Sequence, residues 1–290
     1  MPLQVTVKNV KSILTRTTGY LQTVSSHSLQ PYVGCTFGHA LCGVGCYVQH
    51  NYFLTRGRPW GDFLEVKQNA AERYLAQYDV ERRRGHDHPN GFSIFMSSST
   101  DPFLPQESKY RISHDVLSAM LEMPPDVLIL QTHTHRILDY LEIYPKLAAS
   151  CEVRCHISIE SDRDRMPGLP PPASSVEKRF AAAKKLKNEG LNVIITASPL
   201  LPIQAPEAFF TKIAECSDGV VIDHFIGGDG SAAGKRTRKT ALPQAMSTVS
   251  PDSVMLAYRD EMLTLAQKIM PGRVGVGIEG FAGRFLQSCI

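Results

Sequence analysis

The feature that most narrows the fold is a rhythm. From about Gln30 to Met270, short β-rich apolar runs alternate with amphipathic helical stretches. Residues 92–96 form an apolar run between Pro89-Asn90-Gly91 and Ser97-Ser98-Ser99, which reads as a strand. Residues 113–123 read as a helix: Val116, Leu117, Met120 and Leu121 share a face, Ser113 caps it and Pro124-Pro125 stops it. The pairing repeats as strand 126–131 with helix 137–149, then strand 153–159 with helix 174–189. That last helix has Ser174-Ser175 as caps, a basic outer face and Gly190 as its stop. Strand 191–197 with helix 206–216, strand 219–223 and a long helix over 250–270 complete the series. Such alternation requires parallel strands joined by right-handed crossovers. The strands are apolar on both faces, as parallel strands covered by helices must be. About six such units predict an open or closed β/α barrel rather than two domains. Chemistry then belongs at the C-terminal strand ends, and the residues directly after each strand carry it. Residues 1–29 have no clear period and read as an irregular N-terminal wrap.

Composition sets the outer limits. A chain of 290 residues that is 43% hydrophobic and 20% charged can bury a large core, which excludes a disordered scaffold. The formal charge of +3 permits a polyanionic partner without demanding one. Arg82-Arg83-Arg84 and Lys235-Arg236-Thr237-Arg238-Lys239 are local basic clusters. They read as a solvated helix end and a mobile loop, with a phosphate contact as the alternative for each. The first residues lack a basic region followed by an apolar run, and no apolar stretch approaches the roughly 20 residues of a bilayer span. A cytoplasmic protein without a membrane partner is the expectation. In that reducing compartment clustered cysteines read as metal ligands or redox groups, not disulfides.

Three of the seven cysteines, Cys35, Cys42 and Cys46, fall within twelve residues, among Gly34, Gly38, Gly43 and Gly45. Glycines let the backbone fold tightly round a metal centre and leave amides free to bond sulfur. Three thiolates without a near fourth suit a four-iron cluster that keeps one iron open. Tetrahedral zinc needs a fourth ligand, for which His39 or His50 is available. Buried, unliganded thiols are the third reading. The Gly272–Gly283 stretch lacks the strand–helix context of a nucleotide loop and reads as a closing strand or tail.

Around the cysteines the sequence resembles the radical S-adenosylmethionine superfamily, and within it the spore photoproduct lyase-like branch. The matching stretches run in order over roughly residues 11–225. They are Lys11-Ser12-Ile13-Leu14, Gly19-Tyr20, Gln30-Pro31-Tyr32-Val33-Gly34-Cys35 and Val66-Lys67-Gln68-Asn69-Ala70-Ala71-Glu72. After these come Ser99-Thr100-Asp101-Pro102-Phe103-Leu104-Pro105-Gln106-Glu107, Tyr110-Arg111, Thr132-His133-Thr134, Arg136, Ser158-Ile159-Glu160 and Pro199-Leu200-Leu201-Pro202. The superfamily spaces its cysteines three and two residues apart, whereas here six and three intervene. Either Cys35, Cys42 and Cys46 hold the cluster through a widened loop, or His39 takes the middle position between Cys35 and Cys42. The first alignment is preferred, and it makes Tyr47 the aromatic that follows the third cysteine.

The resemblance implies an α/β fold, a partial (β/α)6 barrel of the radical SAM type over residues 30–225. Residues 1–29 and 226–290 are then short N- and C-terminal extensions. It implies a [4Fe-4S] cluster and S-adenosyl-L-methionine, cleaved reductively to a 5′-deoxyadenosyl radical that abstracts hydrogen from a substrate. It implies a one-electron donor such as flavodoxin or ferredoxin, and it leaves the substrate open, nucleic acid included. By matching, Tyr47, Thr100, His133, Ser158 and Glu160 contact the cofactor. His133 stands where the branch often carries a Lys, and Glu160 suits ribose hydroxyls. Spore photoproduct lyase has a hydrogen-donating cysteine where Ser98 stands here, and a serine O–H bond is too strong for that step. That argues against thymine-dimer repair. Cys151 and Cys155 read as buried inert thiols, with Cys155-His156 near the site as the alternative. The competing readings are a photoproduct lyase-like repair enzyme and a zinc- or cluster-bearing module that binds nucleic acid through the 235–239 loop.

Overall fold

The computed structural model describes residues 2–287, so Cys289 lies outside the described part. Among the described residues eleven strands form two sheets. β1 (Gln4–Lys8), β5 (Phe63–Lys67) and β4 (Tyr32–Val33) make a small sheet in the order β1-β5-β4, with β1 parallel and β4 antiparallel to β5. The main sheet has eight strands. Its members are β2 (Leu14–Arg16), β3 (His27–Leu29), β6 (Ser93–Met96), β7 (Val127–Thr132), β8 (Glu152–Ser158), β9 (Asn192–Ala197), β10 (Gly219–Ile222) and β11 (Val274–Val276). The order is β2-β3-β6-β7-β8-β9-β10-β11, and every pair is parallel except β2 with β3.

Alternation along these strands builds two cores. Ile94 and Met96, Leu128 and Leu130, Cys155 and Ile157, Val193 and Ile195, and Val220 and Ile222 face the helical layer. That layer includes Ala70–Gly85, Ile112–Glu122, Val176–Asn188, Pro206–Cys216 and Leu256–Ile269. The opposite face carries Phe95, Ile129, Ile194 and Val221, and it is covered by Phe281 and Ala282 with Tyr20 and Leu21. Phe281 thus closes one end of the inner face, its ring 6.5 Å from that of Phe95.

Residues 1–29 are not an irregular wrap: they supply β1 to the small sheet and β2 and β3 to the main one. Nor does the main sheet stop at residue 225, because β11 pairs with β10. These strands are three to five residues long, too short to show a period in the sequence. The expected helix 137–149 is two pieces, a 3₁₀ turn His135–Tyr140 and a helix Tyr144–Ala148. Pro145 explains the break, since it has no N–H to continue a helical ladder but sits well in a first turn. The helix expected over 250–270 is likewise a 3₁₀ turn Pro251–Val254 and a helix Leu256–Ile269, divided by an extended Met255.

Candidate active site

At the C-terminal ends of the main strands lies a cavity of about 250 Å³. Cys35, Cys42, Cys46, Tyr47, Thr100, His133 and Glu160 all line it. Seven residues separated by up to 125 positions in the chain are therefore brought to one space.

The cysteine wall begins where β4 ends. Gly34 follows with φ +85, a left-handed conformation, and a Cβ there would come within 2.4 Å of the Phe63 carbonyl oxygen. Beyond it the chain makes a 3₁₀ turn Thr36–His39, a short helix Leu41–Val44 and a second 3₁₀ turn Tyr47–His50. Gly43 is pressed so closely to the Phe37 carbonyl that a Cβ would lie 2.0 Å from it. Such contacts require glycine, and the loop they shape brings all three cysteines to the cavity. Backbone amides then serve the sulfurs: those of Asp101 and Phe37 point at Cys35, and those of Val48 and Gln49 at Cys46. Burial pushes the Cys35 thiol up to about 12 and Cys46 up to about 11, with these amides pulling each partway back. Cys42 is raised well above its ordinary value by burial, then by the other two sulfurs and the Glu160 and Asp101 carboxylates.

This donor set fits one kind of metal group and not another. A single zinc ion needs its ligands converged on one point at roughly 2.3 Å from sulfur and 2.1 Å from nitrogen. Among the described residues no three His, Cys, Asp or Glu side chains are grouped in that way. His39, the alternative middle ligand, lies outside the cavity with its side chain 70% exposed and its Nε2 2.7 Å from Asp62 Oδ1. His50 is exposed as well. An iron–sulfur cluster instead takes each thiolate on a different iron and draws stability from amides bonded to sulfur. Three thiols facing one cavity, two of them with amides aimed at them, suit that group.

The facing wall comes from the strand ends. Thr100 follows β6 and is buried; Asp101, next to it, ties β6 to β7. Asp101 accepts bonds from Thr132 Oγ1 at 2.9 Å, the His133 amide at 2.7 Å and the Phe103 amide at 2.9 Å. His133, after β7, brings Nδ1 to 2.8 Å from Glu160 Oε1, after β8. Glu160 Oε2 accepts from Arg179 Nη1 at 2.7 Å, and the same nitrogen donates to the Ser158 carbonyl at 2.5 Å. Burial alone would raise Glu160, but Arg179 and then His133 outweigh it, holding the carboxyl well below the usual range. As an ionised carboxylate only accepts, His133 carries its proton on Nδ1 and turns Nε2 elsewhere.

Ser158 does not line the cavity. Its hydroxyl lies beneath Gln131, accepting from Gln131 Nε2 at 2.6 Å and sitting 3.1 Å from Thr196 Oγ1. Gln131 does line it, and its Oε1 is buried without a partner. The amide oxygen therefore waits for a donor. Sequence reasoning passed over Gln131, because a glutamine inside an apolar strand carries no motif. It also passed over Arg179, assigned to a basic outer helix face but only 2% exposed. Tyr20 and Asp223 were missed too, joined at 3.0 Å across 203 residues of sequence. Cys155 faces the helices with its thiol pushed up to about 12 by burial, and does not reach the cavity.

A mostly parallel α/β sheet with a glycine-rich tri-cysteine loop over its C-terminal edge is the class of molecule that fold and site define. No protein-family model and no curated protein matches the sequence. Among solved structures the chain is similar to spore photoproduct lyase. A cysteine-to-alanine variant of that enzyme with dinucleoside spore photoproduct superposes with a TM-score of 0.63 at 13% identity, covering 94% of this chain and 81% of that one. A tyrosine-to-phenylalanine variant gives a TM-score of 0.61 at 13% identity with the same coverage. Streptococcus suis SuiB bound to S-adenosylmethionine gives 0.44 at 15% identity over 70% of this chain and 42% of that one, a likeness too partial to argue from. The chain has the fold of spore photoproduct lyase.

Proposed function

We propose that the protein is a radical S-adenosylmethionine enzyme whose cluster is held by Cys35, Cys42 and Cys46. One observation carries this: three thiols gathered on one cavity wall, with amides directed at two of them, in a chain that has the fold of spore photoproduct lyase. On this reading the main sheet is the curved part of a partial (β/α)6 barrel. Bound there, the [4Fe-4S] cluster and S-adenosyl-L-methionine supply a 5′-deoxyadenosyl radical for hydrogen abstraction. The protein holds, orients and excludes water. Tyr47 and Thr100 offer a ring and a hydroxyl beside the sulfurs. Glu160, fixed by Arg179 and His133, presents a permanently ionised acceptor for an amine or a pair of ribose hydroxyls. Gln131 Oε1 offers a further acceptor, and Ser158 acts through Gln131, holding its amide in place.

The cavity argues against a phosphodiester inside it. Asp101, Glu160, Asp223 and Asp229 line it, against a single arginine, Arg179, already engaged with Glu160. Burial raises Asp101 and Asp223, but Glu160 and Asp229 are held below the usual carboxylate range, so a polyanion meets negative charge with no free cation among the described lining residues. Among the described residues no thiol other than those of Cys35, Cys42 and Cys46 lines it, and Ser97, Ser98 and Ser99 occupy the loop after β6. The substrate of this reading is thus a neutral or cationic compound rather than a strand of nucleic acid. Among the described residues no helix is long and apolar enough to cross a membrane.

Anaerobic reconstitution with iron and sulfide tests the proposal. Brown protein absorbing near 400 nm, four irons per chain and 5′-deoxyadenosine formed with dithionite are expected. Colourless protein without iron or sulfide, with all three cysteines replaceable by alanine, overturns it.

A further inference from the structure

We propose that the solvent side of the cysteine loop is the docking face for a small acidic one-electron carrier protein. The proposal rests on the reading above, which requires an electron from outside the chain. After Cys46 the loop runs through Tyr47–His50 into the helix Tyr52–Thr55. There Tyr52 is 72% and Phe53 90% exposed, the most exposed large apolar side chains described. Their rings have no partner in a core and present apolar surface to whatever covers them.

A second segment flanks this one. Lys235, Arg236, Arg238 and Lys239 are all exposed, while Thr237 between them turns into the cavity wall. Among the described residues none of the four has a carboxylate within ion-pairing distance. The polar contacts of Arg236 and Arg238 go to the backbone carbonyls of Asp229 and Ala233. The two segments adjoin: Leu242 packs against Gly45, Arg236 acts electrostatically on Tyr47, and Lys239 on His50. No Asp or Glu occurs in residues 36–61 or 230–251. The outcome is an exposed basic surface without side-chain ion pairs among the described residues, the adjacent Asp229 carboxylate being bonded to Ser231 and the Thr237 amide, beside a segment whose two bare aromatic rings follow Cys46 by six and seven residues.

Charge complementarity selects an acidic occupant. A nucleic acid would answer the same surface, but the carboxylate-lined cavity behind it gives a phosphate backbone no cationic continuation inward. A protein carrier needs none, because only an electron passes. In that step the carrier is oxidised by one electron, the iron–sulfur group is reduced by one, and no proton or bond changes hands.

The test uses reconstituted holoenzyme and flavodoxin as the probe, with a quadruple variant Lys235→Glu, Arg236→Glu, Arg238→Glu, Lys239→Glu and a single Phe53→Ser. Flavodoxin binding to the wild type is expected to weaken as salt rises from about 50 to about 500 mM. Both variants should bind it roughly tenfold or more weakly and lose flavodoxin-supported 5′-deoxyadenosine formation, while the dithionite-supported rate stays within about twofold of wild type. Wild-type binding and flavodoxin-supported rates in both variants overturn the docking face. So does salt-dependent binding of a single-stranded oligonucleotide that the quadruple variant loses while its flavodoxin route is unchanged. Salt-dependent flavodoxin binding without any dithionite-driven 5′-deoxyadenosine supports the docking face and rejects the radical reading instead.

Discussion

Arg179 and Glu160 form a demanding contact, because both charges of the pair are almost fully withdrawn from water, and His133 hydrogen-bonds the same carboxylate. Removing one partner of such a pair leaves the other uncompensated. Arg179→Leu is therefore expected to cost roughly 3–5 kcal/mol of stability, read as a lowered denaturant midpoint. The double variant with Glu160→Gln should recover part of that loss. Glu160 is held ionised, so the stability it confers is present above the ordinary carboxylate pKa of about 4.3 and lost as pH falls through its depressed folded value. His156 has the opposite chemistry and the same direction in acid. Burial drives its pKa from 6.5 down to about 3, so the native state keeps it neutral while the unfolded chain takes up a proton. Stability is unaffected above pH 6.5 and declines between 6.5 and 3. Its ring sits 5.9 Å from that of Phe281, an aromatic environment that admits another ring. His156→Phe should match wild type in thermal melts at pH 8 and outlast it at pH 5. Identical melting at both values would dismiss this account. Of these residues the sequence singled out His133 and Glu160 by family likeness and mentioned His156 only beside Cys155. Arg179 looked like one more basic position on a helix.

Elements differ in how plainly they are written. The helix Pro206–Cys216 begins at a proline and runs to the residues expected, since Phe209, Phe210 and Ile213 supply an apolar stripe. Of the helix Ala70–Gly85 the sequence shows only a solvated basic end at Arg82-Arg83-Arg84, although it has sixteen residues. Its buried face is made of Ala70, Tyr74, Tyr78, Glu81 and Gly85, hardly an apolar period. The tyrosine hydroxyls donate to the carbonyls of Met123 and Pro124, each at 2.6 Å, and Glu81 Oε2 lies 3.0 Å from His27 Nε2. Polar atoms with distant partners make that face buriable. The cysteine loop is legible in another way: its glycines announce close approaches without saying what is approached. Gly43→Ala should force Phe37 and the following turn apart. After reconstitution the variant is expected to retain a small fraction of wild-type iron, with circular dichroism in the far ultraviolet unchanged. Full iron content would mean the loop tolerates the extra carbon.

At the scale of the whole molecule, Phe281 matters out of proportion to its place near the end of the chain. It seals the inner face of the sheet against Phe95 and lines the cavity as well. Phe281→Ala is expected to cost roughly 3–5 kcal/mol and to let water reach the cavity floor, seen as a lowered melting temperature and increased binding of a hydrophobic dye. The sequence by itself determined the alternation of strand and helix from residue 92 onward, the parallel sheet that follows from it, and the three clustered cysteines. Those are local properties, fixed by side-chain period, capping residues and spacing along a few turns of chain. Only the tertiary structure decided that the short strands near both termini join the sheets. It alone put His39 and Ser158 outside the cavity, and it alone paired Tyr20 with Asp223 and Arg179 with Glu160. Each of these depends on which distant groups meet once water is excluded, and a buried charge or amide takes its meaning from a partner that no neighbouring residue announces.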